Sequence, residues 1–244
     1  KSVSQISKYL NDIGYFNSGI STQIKNKGGI GKVIYGIYPA SPYIVDSITF
    51  KISDTTIYRY VKEIEDELPV QKGNIFNAFD LDDERDKISE YLKNKGYYYF
   101  TKDYIFMEVD TNFTVRKANI DIRIENVLNP LTQKMEPHKR YFINDIYIYP
   151  KGTSLNGLDI DTVTHTFKAG RRYNDESFKF VFSGDPKIRF KTFDDMVHIQ
   201  TNQPYNLHSV TQTYKSLNNL KIYNLTNIDF EPVESDNDSI NLLN

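Results

Sequence analysis

The chain contains one phrase twice, and this repetition decides how its fold is predicted. The stretch ISKYLNDIGYF at residues 6–16 returns as ISEYLKNKGYY at residues 88–98, and a looser copy, LNNLKIY, stands at residues 217–223. Internal repeats of this kind are typical of arrays of similar modules. Because each module of an array contacts only its neighbours, such chains present extended surfaces more often than a single catalytic pocket.

The composition favours a folded protein and argues against some classes of function. With 39% hydrophobic and 25% charged residues, the 244-residue chain can bury the core of one large domain or of several small ones. Its net charge of −2 lacks the basic footprint that duplex nucleic acid requires, so no nucleic-acid partner is expected. The absence of cysteine excludes disulfides, thiolate metal sites and cysteine nucleophiles.

Residues 43–127 show the clearest succession of elements. Asp54 and Asp80 stand where helix N-caps belong, and Gly96 stands where a left-handed C-cap residue belongs. The acidic run at 82–84 is interpreted as charge that the positive end of a helix dipole favours. The apolar periodicity predicts a strand at 43–52, helices at 55–68 and 81–95, and strands at 104–109 and 120–124.

The same order of elements extends to both sides of this module. We predict the C-terminal part of a first module (helix, strand, strand) at 1–41 and a complete second module at 42–128. A third module at 139–244 has an insertion at about 151–189 and is truncated at its last strand. Gly14 holds the place that Gly96 holds in the second copy of the phrase, so both are predicted as helix C-caps; Lys221 stands there in the third copy.

The strand–helix–helix–strand–strand order resembles POTRA domains, the periplasmic modules of the BamA/TamA-type outer-membrane assembly and translocation family. The resemblance rests on the helix exits at residues 9–16 and 91–98, where Tyr-Leu is followed by Gly and an aromatic pair, and on the Ile-rich strands that open at Tyr43 and Tyr141. It covers nearly the whole chain except the insertion. It implies an α+β fold of tandem small β-α-α-β-β modules, each a three-stranded mixed sheet covered by two antiparallel helices.

The resemblance also implies a function without catalysis, with no catalytic residue, cofactor or metal. Such a region lies at the periplasmic face of the bacterial outer membrane and binds unfolded or nascent outer-membrane proteins, with accessory lipoproteins as further partners. The parent chain is then expected to continue into a membrane β-barrel.

Binding in this family implies edge-strand augmentation, in which an extended peptide pairs with an unpaired strand of the sheet. A proline at Phe106 is expected to abolish such binding. The candidate edge residues fall in three segments: Ile20, Thr22 and Ile24; Tyr104, Ile105, Phe106 and Met107; and Leu225 and Asn227.

Two other functions remain open at this point. The array can instead be a structural scaffold or spacer that positions a membrane barrel and binds folded lipoproteins. An envelope hydrolase is the third hypothesis, although no triad, metal or nucleophile pattern supports it. The strand-disrupting proline separates the first two hypotheses, because it should abolish client binding and leave scaffold assembly largely intact.

Several local motifs resemble ligand sites and are interpreted as structural. GGIGK at 28–32 lacks the first Gly and the Ser or Thr of a P-loop and predicts a hairpin turn. The four histidines have no metal-ligand spacing, and the acidic residues at 159–161 and 236–238 lack the rest of a calcium loop. A basic cluster in the insertion is interpreted as a solvated hairpin, with anionic lipid headgroups or an acidic partner as the alternative contact. It consists of Lys168, Arg171, Arg172 and Lys179.

Overall fold

The fold is taken from a computed structural model of the chain. It describes residues 2–27, 30–150, 160–167, 176–183, 189–221, 226–233 and 240–244. The chain forms two compact units: unit 1 contains residues 1–89 and 101–137, and unit 2 contains residues 90–100 and 138–244. Within the described ranges, no helix has the length and apolar character needed to cross a bilayer.

Unit 1 begins with one helix and a two-stranded antiparallel sheet. These elements are α1 (Ser2–Asp12), β1 (Gly19–Lys27) and β2 (Ile30–Tyr38). Gly14 follows α1 with a φ of +84°, a conformation that glycine adopts without strain. A Cβ at this position would lie 2.4 Å from the carbonyl oxygen of Phe76, so the close approach of this loop also requires glycine.

The middle module, residues 43–126, contains a three-stranded mixed sheet and two helices, and it lies in unit 1 except for residues 90–100. Its elements are β3 (Ile44–Ile52), α2 (Thr55–Glu63), α3 (Ala78–Asn94), β4 (Ile105–Asn112) and β5 (Lys117–Ile124). The central strand β5 runs parallel to β3 and antiparallel to β4. The predicted α+β fold with small mixed sheets is therefore confirmed.

The core of the middle module lies between its sheet and its helices. The alternation of apolar residues in β5 places one face inward, while apolar residues at helical spacing line α2 and α3. Each buried methylene contributes about 0.8 kcal/mol to stability, so this layer holds the module together. The buried side chains include Ile57 and Val61 of α2, Ile88 of α3, and Ile120, Ile122 and Ile124 of β5.

The helix starts in the middle module agree with prediction in one case and differ in the other. The Asp54 carboxylate accepts hydrogen bonds from the backbone N–H groups of Thr56 and Ile57, as expected of an N-cap. The predicted cap Asp80 is wrong, because α3 begins earlier and Asn77 Oδ1 accepts from the N–H of Phe79. Asp80 lies in the first turn, where its carboxylate accepts from Asn77 Nδ2.

Unit 1 ends in a small antiparallel pair, and unit 2 contains two three-stranded sheets. The pair is β6 (Val127–Leu128) and β7 (Met135–Glu136). Unit 2 contains β8 (Tyr141–Ile143), β9 (Tyr147–Ile148), β10 (Asp161–Phe167), β11 (Glu176–Phe182), α4 (Lys191–Asp194), α5 (Leu207–Asn219), β12 (Pro232–Val233) and β13 (Asn241–Leu243). One sheet has the order β12-β13-β8, with β13 parallel to β8 and antiparallel to β12. The other has the order β10-β11-β9.

The hairpin β10–β11 falls inside the predicted insertion and supplies core residues of unit 2. Strand β11 pairs in parallel with β9, and this pairing places Phe178 and Phe180 in the core, fully buried. Phe193 packs against Phe180 with ring centroids 5.4 Å apart. Of the basic cluster, Lys179 forms an ion pair with Asp145 at 2.7 Å, whereas its other three residues lie outside the described residues.

The end of unit 2 differs from the prediction in its strands. The candidate edge segment at Leu225 and Asn227 is not a strand over the described residues 226–230, and a strand is formed instead at β12. β12 forms because it pairs with β13, whereas no described strand lies beside residues 226–230 with which they could pair. Lys221 follows α5 with a φ of +53°, so this lysine adopts the left-handed conformation that the glycines adopt elsewhere.

The two helix exits that carry the repeated phrase make the same hydrogen bond. In unit 1 the N–H of Tyr43 donates to the carbonyl of Gly14 at 2.9 Å. In unit 2 the N–H of Tyr141 donates to the carbonyl of Gly96 at 2.8 Å, and Gly96 has a φ of +104°. The ring of Tyr98 packs edge-on against Tyr205, 4.9 Å between centroids, so this exit segment is part of the core of unit 2.

Candidate functional site

The second predicted edge segment lies on a strand at the margin of a sheet. β4 pairs with β5 on one side, and no strand lies along its other side in the described part of the chain. Ile105, Phe106 and Met107 belong to β4, whereas Tyr104 closes the short 3-10 helix Lys102–Tyr104 just before it. An unpaired edge of this kind offers main-chain donors and acceptors to another strand.

The register of β4 determines which of its main-chain groups face outward. The N–H of Glu125 donates to the carbonyl of Tyr104 at 2.9 Å, and the ladder continues without a bulge from the pair Ile105–Ile124. In an antiparallel ladder, hydrogen-bonded and non-hydrogen-bonded pairs alternate. The even-numbered residues of β4 therefore bond to β5, and the outward-facing residues are Ile105, Met107, Val109 and Thr111.

The register of β4 changes which proline substitution tests strand addition. Phe106 pairs with Arg123 at an even position, so its N–H is directed toward β5. A proline at Phe106 would remove a hydrogen bond inside the sheet and leave the outward edge unchanged. A proline at Met107 is the substitution that removes an outward donor.

The main-chain groups of the first outward residue of β4, Ile105, already have hydrogen-bond partners within the chain. The N–H of Ile105 donates to the carbonyl of Lys102, and the carbonyl of Ile105 accepts from Arg85 Nε at 3.1 Å. The other outward main-chain groups have no hydrogen-bond partner among the described residues. They belong to Met107, Val109 and Thr111.

The side chains of β4 alternate between two environments. Phe106 is 43% exposed, and Glu108 and Asp110 are exposed with it on the solvent face. Glu108 forms an ion pair with Arg123 of β5 at 2.6 Å. The outward residues Met107, Val109 and Thr111 have half-buried side chains on the helix-covered face. A strand added to this edge would therefore meet one apolar face and one polar, acidic face.

The other two candidate edge segments are less suited to strand addition. Ile20, Thr22 and Ile24 lie on β1, whose sheet has only two strands in the described residues, and Ile24 is 70% exposed. Leu225 lies outside the described residues, and Asn227 is not part of a strand, because no described strand lies beside it. In the β12-β13-β8 sheet, the edge strand that corresponds to β4 is β12, since it pairs antiparallel with the central strand.

The edge of β12 has a proline at its outward position. The main-chain groups of Glu231 and Asn244 exchange two hydrogen bonds of 3.0 Å, so Pro232 is at a non-hydrogen-bonded position that faces outward. Proline has no N–H to offer at this edge, and natural sheets use it to prevent edge pairing. Pro232 of β12 corresponds to Thr111 of β4. Pro232 pairs with the residue of β13 that lies beside Ile143 of β8, and Thr111 pairs with the residue of β5 that lies beside Val45 of β3.

A buried carboxyl lies in α3, one position before Arg85. Glu84 is fully buried, and its Oε2 accepts from the N–H of Val70 at 2.9 Å, while Oε1 has no partner among the described atoms. Burial raises the pKa of Glu84 to about 7, against the lowering effect of the Val70 hydrogen bond and with a smaller raising effect of Asp80. The interpretation of Glu84 as helix N-terminal charge is therefore wrong, because its carboxyl lies beyond the first turn of α3 and is buried. The sequence does contain a signal of this burial, because Glu84 lies one helical turn from both Leu81 and Ile88 on the apolar face.

The described residues contain no group of three or more His, Asp or Glu side chains placed to hold a metal ion.

The middle module matches a known family. Residues 43–126 match the POTRA family model, described as a surface antigen variable number repeat. The BamA POTRA3-5 structure from Haemophilus influenzae is similar with a TM-score of 0.49 and 14% identity, over 99% of this chain and 76% of that chain. A comparison with curated proteins found no significant match.

Two cyanobacterial structures show weaker similarity. The N-terminal domain of Omp85 from Thermosynechococcus elongatus has a TM-score of 0.29 and 9% identity, over 98% of this chain and 80% of that chain. POTRA1-3 of Omp85 from Anabaena has a TM-score of 0.27 and 10% identity, over 99% of this chain and 79% of that chain. The assignment rests on the family match and on the order and pairing of the strands and helices. These establish that the chain carries a POTRA domain at residues 43–126, as the sequence resemblance predicted.

Proposed function

We propose that this chain is the periplasmic polypeptide-binding region of an outer-membrane protein assembly factor, and that its β4 edge binds extended client segments by strand addition. The observation that supports this proposal is the run of unoccupied outward main-chain groups at Met107, Val109 and Thr111. Main-chain hydrogen bonds give affinity largely regardless of client sequence. This property suits a receptor that must accept many clients.

The side chains beside this edge favour a client with alternating polarity. The half-buried Met107 and Val109 lie on one face of β4, and the exposed Glu108 and Asp110 lie on the other. An added strand would place every second side chain beside each face. Strands of membrane β-barrels alternate between apolar and polar side chains, so unfolded or nascent outer-membrane proteins are the clients that we infer.

The cellular setting is part of the same proposal, and the POTRA match of residues 43–126 supports it. We infer a place on the periplasmic face of the outer membrane, a parent chain that includes a membrane barrel, and accessory lipoproteins as further partners. We also infer a binding role and no catalysis. The alternative role, a scaffold that binds folded lipoproteins, does not need a free β4 edge.

Replacing Met107 tests the proposal. In the full chain, Met107→Pro removes one outward N–H and places the proline ring at the edge, without removing a bond to β5. We expect it to weaken the binding of a peptide from a membrane β-strand by more than about tenfold. The measurement is titration followed by NMR chemical-shift mapping, and in the unmodified chain the shifts should concentrate on Met107, Val109 and Thr111.

The matched control is Met107→Ala, which loses the same side-chain packing and keeps the N–H. Its affinity should stay within about threefold of the unmodified chain, a difference under 1 kcal/mol. Equal affinity of Met107→Pro and Met107→Ala would show that the peptide does not pair with β4. Absence of peptide binding, together with retained binding of a folded lipoprotein, would favour the scaffold role.

A further inference from the structure

Arg85 follows the buried Glu84 and is a second charged residue beside the apolar stripe of α3. It lies at helical spacing between Leu81 and Ile88, and its side chain is 29% exposed. Such a position usually holds a core side chain, and a half-buried guanidinium there must find acceptors for its rigid fork of donors. Its nearest carboxylate, Asp82, lies 3.4 Å from Nη1, so this ion pair is not its closest interaction.

The guanidinium instead binds main-chain carbonyls at the start of β4. Arg85 Nε donates to the carbonyl of Ile105 at 3.1 Å, and Nη2 donates to the carbonyl of Lys102 at 3.0 Å. The carbonyl of Lys102 also accepts the N–H of Ile105. Both outward main-chain groups of Ile105 are therefore satisfied within the chain, and an added strand would have to displace Arg85 to pair there.

Two acidic residues of α3 hold Lys102 in place beside the contacts of Arg85. Lys102 Nζ lies 3.3 Å from Asp82 and 3.0 Å from Asp86, and both carboxylates project from α3. The hydrogen bond with Asp86 raises the pKa of Lys102. These pairs are exposed and individually weak, but together they link the helix to the turn that precedes β4.

We propose that Arg85 is a positioning residue that stops strand addition at the start of β4 and so fixes the length and register of the bound client segment. This inference rests on the proposed function of the β4 edge. With Ile105 occupied, the available outward residues are Met107, Val109 and Thr111. A client segment gains main-chain hydrogen bonds only along residues 107–111, and a longer segment gains nothing by extending past Met107 toward Ile105.

A series of peptides tests this stop. Alternating apolar and polar peptides of increasing length are titrated against the full chain, with Arg85→Ala as the variant and Lys87→Ala as the matched control. Lys87 also lies on α3 and donates to a main-chain carbonyl, that of Glu67 at 2.6 Å, away from β4. For the unmodified chain and for Lys87→Ala, affinity should stop increasing once the peptide spans residues 107–111.

In Arg85→Ala, the carbonyl of Ile105 is released and can accept from the peptide. Lengthening the peptide by two residues should then raise affinity by about fivefold, the expected gain from one additional hydrogen bond. The longer peptide should also shift the Ile105 resonances in this variant and leave them unchanged in the unmodified chain. A purely structural role of Arg85 would lower stability without creating this dependence on length.

A second measurement does not depend on the variant being well folded. In the unmodified chain without peptide, the amide of Ile105 should exchange with solvent more slowly than those of Met107, Val109 and Thr111. Equal exchange rates, or the same length dependence in the unmodified chain and Arg85→Ala, would overturn the stop while leaving the proposed function intact. If no peptide binds β4 in any variant, the proposed function fails, and the stop fails with it.

Discussion

The middle module and unit 2 contain the same three-stranded pattern, but their edge strands differ. In each, a central strand lies parallel to the first strand and antiparallel to the edge strand. β4 has eight residues with three unoccupied outward positions, whereas β12 has two residues and a proline at its outward position, Pro232. Strand order alone therefore does not decide whether an edge is open to pairing. The outward residues decide it, because only an N–H that has no partner can receive a further strand.

The helices of the two regions differ at a second corresponding position. Glu84 of α3 accepts the N–H of Val70, and Thr213 of α5 accepts the N–H of His198 at 2.8 Å, so each buried polar side chain satisfies the chain before its helix. Thr213 also donates to the carbonyl of Ser209. A hydroxyl is neutral at every pH of interest, whereas a buried carboxyl changes charge.

The largest expected effect is a pH dependence confined to the middle module. Because the folded pKa of Glu84, about 7, lies above its ordinary value of 4.5, the folded state holds the proton more tightly than the unfolded state. The contribution of Glu84 to the free energy of unfolding is therefore largest below pH 4.5 and falls as the pH rises to about 7, by on the order of 2 to 3 kcal/mol. Amide exchange of Ile122 should report this loss, while Leu243 of unit 2 should not.

Glu84→Gln should remove this pH dependence, since the amide can still accept from Val70 and does not ionise. The matched control is Asp83→Asn, which removes an exposed carboxyl from the same turn and should leave the slope unchanged. A slope that persists in Glu84→Gln would assign the pH dependence to another group.

A smaller effect is expected when the proline of β12 is copied into β4. Thr111→Pro removes one outward N–H, and we expect peptide affinity to fall by about fivefold, equivalent to roughly 1 kcal/mol. Thr111→Ala is the control that keeps the N–H, and it should bind nearly as well as the unmodified chain. The measurement is the same peptide titration. Unchanged affinity in Thr111→Pro would place the end of the docking window before residue 111.

The smallest effect concerns the helix exit of unit 2. Lys221 has a φ of +53°, which costs a lysine more than a glycine. Lys221→Gly should stabilise unit 2 by about 0.5 to 1 kcal/mol, measured by denaturant unfolding. Lys221→Ala, which keeps the Cβ, is the control and should give no such gain. A destabilised Lys221→Gly would mean that the lysine side chain contributes more than the backbone strain costs.

Much of the middle module was predictable, because each of its elements carries its own local signal. The alternation at Ile120, Ile122 and Ile124 predicts a half-buried strand, and Asp54 predicts a helix start. The error at Asp80 arose because two polar residues, Asn77 and Asp80, compete for the cap. Only the backbone path decides between them.

The features on which the proposed binding rests were not predictable in the same way. Which residues of β4 face outward depends on the hydrogen-bond register with β5, and a sequence pattern of alternating polarity does not specify it. The burial of Phe178 and Phe180 depends on the pairing of β11 with β9, which joins segments far apart in sequence. The partners of Arg85 are main-chain carbonyls, and because every residue has one, the residue types do not identify these partners.

The hydrogen bond between Tyr141 and Gly96 has a practical consequence for dissecting this protein. The phrase that ends α3 contributes Gly96 and Tyr98 to the core of unit 2, so a fragment that starts at the linker near residue 138 would lose part of its own interior. Excision before residue 90 would retain it, but the fragment would then divide α3 and carry residues 101–137, which belong to unit 1. In unit 1, the bond between Gly14 and Tyr43 likewise joins residues on either side of the first hairpin. The two units are therefore interleaved along the sequence, and a single cut at residue 90 or 138 does not separate them.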